Sequence, residues 1–356
     1  MKEIKNEDLG YDAFFELNKP KSDEFSVARI IAEYKGSYKV KNSSGEYLAK
    51  VTGKRIFNAS SREDFPAVGD WVAITELNNE QAVIHEILPR RTVIKRKYNN
   101  KNEVQIIATN IDIALIVESI DRDFNLNRFE RYFTIANDGG IKSTIILNKI
   151  DLISGEDLDL KLIKIKNRFK NIDIILTSIV TSEGLNELKK YILPKKTYCF
   201  LGSSGVGKSS LINKLLGENA IETKDISFQT GRGKHTTTSR EMYFLKNGGI
   251  VIDNPGMREV GMTNTIDGID NFFDEITILS KECKYVDCSH TSEPGCKVLS
   301  ELKSGKLDES KYVNYINLKK EAEYYDMTEL EKREKDYKFG KFIKNAKKEM
   351  RKINLE

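Results

Sequence analysis

The run Gly202-Ser203-Ser204-Gly205-Val206-Gly207-Lys208-Ser209 fits G-x-x-x-x-G-K-[ST], and it limits the fold of this chain more than any other stretch. The pattern works at the turn between a β-strand and a helix. Gly202, Gly205 and Gly207 allow backbone angles that let successive N–H groups point inward at phosphate oxygens. Lys208 brings a point charge to the β- and γ-phosphates, and the Ser209 hydroxyl is placed to ligate Mg²⁺. The flanks agree. Tyr198-Cys199-Phe200-Leu201 reads as a short buried strand, and 209–216 as a helix whose N-terminus faces the phosphates. A glycine-rich turn matching by chance is the competing account, and the strand–loop–helix setting weighs against it. The expectation is a nucleoside triphosphate site.

Upstream of that loop the chain already has the periodicity of a mostly parallel α/β sheet. Strands are expected at 111–118, 143–147 and 172–176, and helices at 125–137 and 184–192. Between the last two strands, Leu158, Leu162, Ile165 and Phe169 mark the buried side of another helix. The strand 143–147 runs into Asn148-Lys149-Ile150-Asp151, an N-K-x-D element. Asp151 can accept from guanine N1–H and the exocyclic amine together, whereas adenine would leave that carboxylate unpaired. Asn148 and Lys149 brace the phosphate loop and pack along the base, and Thr177-Ser178 matches the loop that supports it. A helix-capping loop could also produce N-K-x-D, but the end of a parallel strand is where α/β folds bind ligands.

The order of these elements is unusual. Base recognition precedes the phosphate loop, while Thr236-Thr237-Thr238 (a switch I candidate) and Asp253-Asn254-Pro255-Gly256 (a switch II match) follow it. That order describes a circularly permuted GTPase sheet spanning 104–262.

Before this sheet, candidate strands at 25–34, 37–41, 46–52, 70–75 and 81–87 are separated by turn residues such as Lys35-Gly36 and Asn78-Asn79. Five short strands within 25–90 predict a small barrel, with an oligonucleotide-binding (OB) fold ahead of an SH3-like one. Residues 1–24 read as a polar, adaptable arm with one apolar cluster at 9–17. The basic stretch 89–97 is either a solvated connector or a contact to RNA phosphates. Hydrophobic content of 39% against 31% charged fits a globular protein, and a net charge of +4 confines any nucleic-acid surface to local patches. The N-terminus has no signal-peptide core and no stretch is long enough to span a membrane, so a cytoplasmic protein is expected. Four cysteines in that compartment do not predict disulfides.

With these motifs in place the chain resembles a known family, the circularly permuted GTPases that depend on the small ribosomal subunit (RsgA, also called YjeQ). The resemblance covers nearly the whole chain. It rests further on Leu9-Gly10-Tyr11 with Phe14-Phe15, on 66–72 (Pro-Ala-Val-Gly-Asp-Trp-Val), on 233–238 (Gly-Lys-His-Thr-Thr-Thr), and on Cys283-x₄-Cys288-x-His290-x₅-Cys296. It implies an OB-type barrel, a permuted G domain and a zinc-binding helical domain over 270–356. It also implies slow GTP hydrolysis to GDP and phosphate, stimulated by the small subunit and its rRNA late in assembly, by a monomer. The residues carried over are Gly202, Ser203, Ser204, Gly205, Val206, Gly207, Lys208, Ser209 and Ser210, with Asn148, Lys149 and Asp151, for GTP. Cys283, Cys288, His290 and Cys296 are carried over for one structural Zn²⁺. Three thiolates and an imidazole make a closed tetrahedral set, which suits structural rather than catalytic zinc.

For Mg²⁺ the expected ligands are Ser209 and a switch I threonine, Thr237, with Asp253 acting through water, and the Gly256 N–H faces the γ-phosphate. Ras-like sites orient the attacking water with a glutamine after the switch II glycine. Met257 stands there instead and cannot, which leaves His235 as the candidate, against a solvated loop histidine. Arg258 is a weaker candidate. The tail 313–351 reads as one charged helix, either solvated or bound to rRNA phosphates. The rival account of the whole chain is an RNA-binding module that uses nucleotide only structurally, and a complete Lys208, Ser209 and Asp253 set argues against it.

Overall fold

A computed structural model of the chain describes residues 4–22, 24–98, 103–121, 124–217, 221, 240–253 and 266–353. In chain order its elements are α1 (Ala13–Asn18), β1 (Ser26–Tyr34), β2 (Ser37–Lys41), β3 (Glu46–Val51), α2 (Gly53–Asn58), β4 (Trp71–Glu76), β5 (Gln81–Ile87), β6 (Val93–Tyr98), β7 (Glu103–Thr109), β8 (Ile113–Ser119), α3 (Leu126–Asp138) and β9 (Lys142–Asn148). There follow α4 (Gly155–Arg168), β10 (Ile174–Thr177), α5 (Leu185–Tyr191), β11 (Thr197–Leu201), α6 (Lys208–Leu216), β12 (Arg240–Phe244), β13 (Ile250–Asp253), α7 (Ile266–Phe272), α8 (Asp274–Ser280), α9 (Lys297–Lys303), α10 (Glu309–Asp326) and α11 (Glu329–Ile353).

Strands β10-β9-β8-β11-β13 are parallel in that order, and β12 closes antiparallel on β13. Their near-continuous apolar runs follow from burial on both faces. Ile116, Leu147 and Cys199 pack with Phe129 and Phe133 of α3 on one side. Leu115, Val117 and Phe200 pack with Leu188 of α5 and Leu211 of α6 on the other. Strand order β1-β2-β3-β5-β4, with β4 returning to β1 and β3 parallel to β5, makes the OB-type barrel. The two halves share one hydrogen-bonded sheet, because β1 also pairs with β12 at Ala32↔Glu241 and Glu33↔Arg240.

The N-terminal arm is more fixed than the sequence suggests. Leu9, Tyr11 and Phe15 are buried against Trp71 of the barrel. Beside them the fully buried Arg29 guanidinium donates to the carbonyls of Leu9, Gly69 and Asn110 and to Thr197 Oγ1. One side chain thus ties arm, barrel and G sheet. Burial lowers its pKa to about 10, so it stays charged at neutral pH.

The stretch 89–97 is not the solvated connector that was one of its two sequence readings. Residues from Val93 onward form β6, hairpin partner of β7. Arg90 forks onto the buried Asp70 carboxylate at 2.9 and 2.8 Å and also donates to the carbonyls of Glu63 and Phe65. Arg91 pairs with Asp12 at 2.6 Å, and Lys95 with Glu63 at 2.7 Å. These cations hold the barrel to its neighbours. The tail is likewise two helices, since Thr328 and Glu331 form a reciprocal cap at the start of α11.

Candidate functional site

The phosphate loop joins β11 to α6, and its glycines are there because of what surrounds them. Gly202, Gly205 and Gly207 have φ of 148°, 85° and 101°. A Cβ at Gly202 would lie 2.2 Å from the Val117 carbonyl oxygen, and one at Gly207 would lie 2.4 Å from Asn148 Nδ2. The loop is therefore pressed against the ends of β8 and β9. Lys208 is buried, and its ammonium donates to the carbonyls of Gly202 and Ser203, each at 2.7 Å. Val206 is buried beneath the loop, while Ser204, Gly205 and Ser210 retain solvent exposure.

Asn148, at the end of β9, is fully buried and stitches three elements together. Its Nδ2 donates to Val206 O at 2.8 Å, and its Oδ1 accepts from Thr177 Oγ1 at 3.0 Å. Parallel pairing places Thr177 opposite Asn148. Lys149 adopts φ of 63°, a left-handed turn at the strand end, and its ammonium lies 3.4 Å from Asp121. Asp151 is exposed and accepts from Ser178 Oγ at 2.5 Å, and the same hydroxyl accepts from Thr181 N. The carboxylate is thereby aimed by a side chain whose own backbone is buried. Across the loop, Ser209 Oγ lies 3.4 Å from Asp253 Oδ2, at the end of β13. A serine hydroxyl beside a carboxylate at the phosphate-loop helix is a hard oxygen donor set that suits Mg²⁺.

The residues expected to hold phosphate and to read the base thus meet at the carboxyl ends of β9, β10, β11 and β13. His235, Thr236, Thr237, Thr238, Gly256, Met257 and Arg258 lie outside the described residues. Sequence reasoning missed what backs the loop. Arg128 Nη1, in the first turn of α3, donates to Ser203 Oγ at 3.3 Å, and Tyr132 Oη lies 3.5 Å from the same hydroxyl. The helical stripe marked the buried face of α3, but nothing local pairs Arg128 with a serine 75 positions away.

Cys283, Cys288, His290 and Cys296 form the second candidate site, with all four ligand atoms within 4.8 Å of one another. Cys283 and Cys296 sulfurs are 3.8 Å apart, and His290 Nδ1 is 3.6 and 3.5 Å from them. A tetrahedral Zn²⁺ with ordinary bond lengths has S···S edges of about 3.8 Å and S···N edges of about 3.6 Å. The residues fit zinc. Burial, aided by the Lys319 charge, lowers the His290 pKa and favours the neutral, ligating imidazole. Tyr312 donates to His290 O at 2.7 Å, and Glu293 accepts from the amides of Ser289, Thr291 and Ser292. Hydrogen bonds from the Ser289 hydroxyl and these amides hold the Glu293 pKa at about 2, so the turn carrying His290 is capped at neutral pH.

Comparison with known proteins places this geometry in context. Residues 87–263 match the family model described as RsgA GTPase. The chain is 42% identical over 298 residues to small ribosomal subunit biogenesis GTPase RsgA 2 of Lactiplantibacillus plantarum, covering 84% of each chain. It is 38% identical over 334 residues to RsgA 1 of Bacteroides thetaiotaomicron, covering 93% of this chain and 92% of that one. Among solved structures it is similar in fold to YjeQ from Thermotoga maritima, with a TM-score of 0.61 and 24% identity over 83% of this chain and 97% of that one. YloQ, a circularly permuted GTPase, gives 0.58 and 23% over 87% of this chain and 99% of that one.

Proposed function

The chain belongs to the RsgA GTPase family, and we propose that it hydrolyses GTP as a late-stage assembly factor of the small ribosomal subunit, stimulated by that subunit and its rRNA. The observation that carries this reading is Asn148, which links the N-K-x-D strand end to the phosphate loop and to Thr177. One site can then read guanine and hold phosphates. Asp151, aimed by Ser178, accepts from the guanine edge, and Lys149 covers the base. The loop amides and Lys208 hold the phosphates. Ser209, Asp253 and, from the segment beyond the described residues, Thr237 would hold Mg²⁺, which neutralises phosphate charge when bound. The Gly256 N–H senses the γ-phosphate. Met257 cannot orient water, so unaided turnover is slow, and His235 supplies that function once the subunit is docked.

The relatives named for small-subunit biogenesis support the partner. No described helix is long and apolar enough to cross a membrane. In this reading the protein works on ribosomes as a cytoplasmic monomer. Zinc at the Cys₃His set is structural, since four protein ligands leave no open position. The decisive experiment is GTP turnover with and without purified small or large subunits, for the wild type and His235→Ala. Small subunits alone should accelerate the wild type, by about 100-fold as ordering of catalytic groups allows. His235→Ala should keep the basal rate and lose the acceleration. Binding of GTP and subunits without any turnover would favour the structural-nucleotide alternative.

A further inference from the structure

The first turn of α3 reaches the phosphate loop from behind. Glu118, next to last in β8, is fully buried, one residue beyond the Val117 carbonyl that crowds Gly202. Arg128 lies between this carboxylate and the loop, with Nη1 3.8 Å from Glu118 Oε2 and 3.3 Å from Ser203 Oγ. Tyr132, one helical turn on, adds its hydroxyl 3.5 Å from the same atom. Ser203 is therefore gripped by its side chain from α3, while its carbonyl accepts from the Lys208 ammonium at 2.7 Å. That ammonium has three donors and must also serve phosphate oxygens, so the loop needs an anchor that the nucleotide does not compete for.

The helix that supplies it is firmly seated. Phe129 and Phe133 lie in the core. On its other side, Glu130 takes both arms of Arg168 at 2.7 and 2.9 Å and accepts from Asn314 of α10. We propose that Arg128 is a positioning residue for the nucleotide site, acting through Ser203 to hold the phosphate loop in its binding shape. The inference rests on the GTPase reading given above. Arg128 is ion-paired with Glu118 and acts through the Ser203 hydroxyl, so the effect is geometric and reaches GDP and GTP alike. Loss of the grip raises KM and leaves kcat at saturation unchanged, the pattern of a contact made equally in ground and transition states.

The test is a double-mutant cycle in the full chain with Arg128→Gln, Ser203→Ala and their combination. Affinities for fluorescent GDP and GTP analogues are read alongside steady-state turnover. Each single variant should weaken both nucleotides roughly tenfold, the worth of one hydrogen bond to a charged group. The combination should be no weaker than either single change, because both remove the same link. Arg128→Gln leaves Glu118 without this ion pair and could fail to fold, but Ser203→Ala keeps that pair and must show the same tenfold loss. Wild-type affinity in Ser203→Ala, or losses that multiply to about a hundredfold, overturns the proposal. A wild type that binds neither nucleotide overturns the GTPase reading instead.

Discussion

Replacing Gly207 with alanine separates a phosphate loop built around a specific neighbour from a merely flexible one. Gly207 has φ of 101°, where a side chain costs about 1–2 kcal/mol. The new Cβ would lie 2.4 Å from Asn148 Nδ2 and 3.5 Å from Ile179 Cδ1. Asn148 is fully buried and cannot swing away without giving up its 2.8 Å bond to Val206 O or its 3.0 Å bond from Thr177. A buried partner left unsatisfied costs about 1–3 kcal/mol. Relief by moving the loop instead misaligns the amides that face phosphate. Either route removes about 3 kcal/mol from nucleotide binding, a loss of about 150-fold. The control is Gly36→Ala at φ of 82° in the β1–β2 turn, where an added Cβ meets nothing within 4 Å. That variant bears the backbone strain without the collision. Fluorescent GDP is titrated into both by anisotropy, with thermal unfolding in parallel. Affinity of Gly207→Ala within threefold of wild type, or an equal loss in Gly36→Ala, would refute the reasoning.

Other changes probe other parts of the chain. Asp151→Asn replaces an acceptor pair with an amide that suits xanthine, so GTP turnover should fall and XTP turnover appear; unchanged GTP turnover with no response to XTP removes Asp151 from the base site. Metal analysis should find one zinc per chain, lost in Cys288→Ala and in Cys296→Ala, and chelation should disorder the 283–296 turn while leaving GTP affinity of the free protein within about threefold, because the phosphate loop belongs to another core. Arg90→Ala should destabilise the protein by about 3 kcal/mol in urea, because the buried Asp70 carboxylate loses its fork; a stable variant that merely bound subunits less well would return Arg90 to the RNA surface.

Much of the fold could be read from local pattern, and the exceptions have physical reasons. The barrel strands expected at 25–34 through 81–87 occur within one residue of those bounds, since alternation and turn residues act locally. The β6–β7 hairpin was hidden because its cations find partners made by the fold: Lys95 at Glu63 and Arg96 at Gln105. Read in isolation such a run looks solvated. Strand β12, although joined to β13 by a short turn, escaped notice because its other partner, β1, lies at the far end of the sequence. The break between α10 and α11 was legible in Thr328-x-x-Glu331, a capping-box signal that the dense charge around it obscured. For the nucleotide site the motifs supplied the proposed contacts, whereas Arg128 and Tyr132 became visible only when α3 was folded onto the loop.

Both flanking modules attach to elements that border the nucleotide site. The barrel joins through β12, whose partner β13 ends at Asp253, and among the described residues the β1–β12 junction is two residue pairs with one ion pair, Arg240 to Glu33 at 3.0 Å. The zinc-side module joins through α3, where Phe133 stacks on Phe272 of α7 and Arg131 pairs with Glu321 of α10. A backbone ladder fixes direction as well as distance, so a small rotation of the barrel must either carry β12 with it or break those bonds. A packed helix behaves similarly, because interlocked side chains in a core shift together or not at all. A large RNA that gripped both modules at once would therefore act on the edge of the sheet beside Asp253 and on the helix behind Ser203. Those are the two sides of the phosphate loop, and a force applied to both need not pass through the switch segments to reach it.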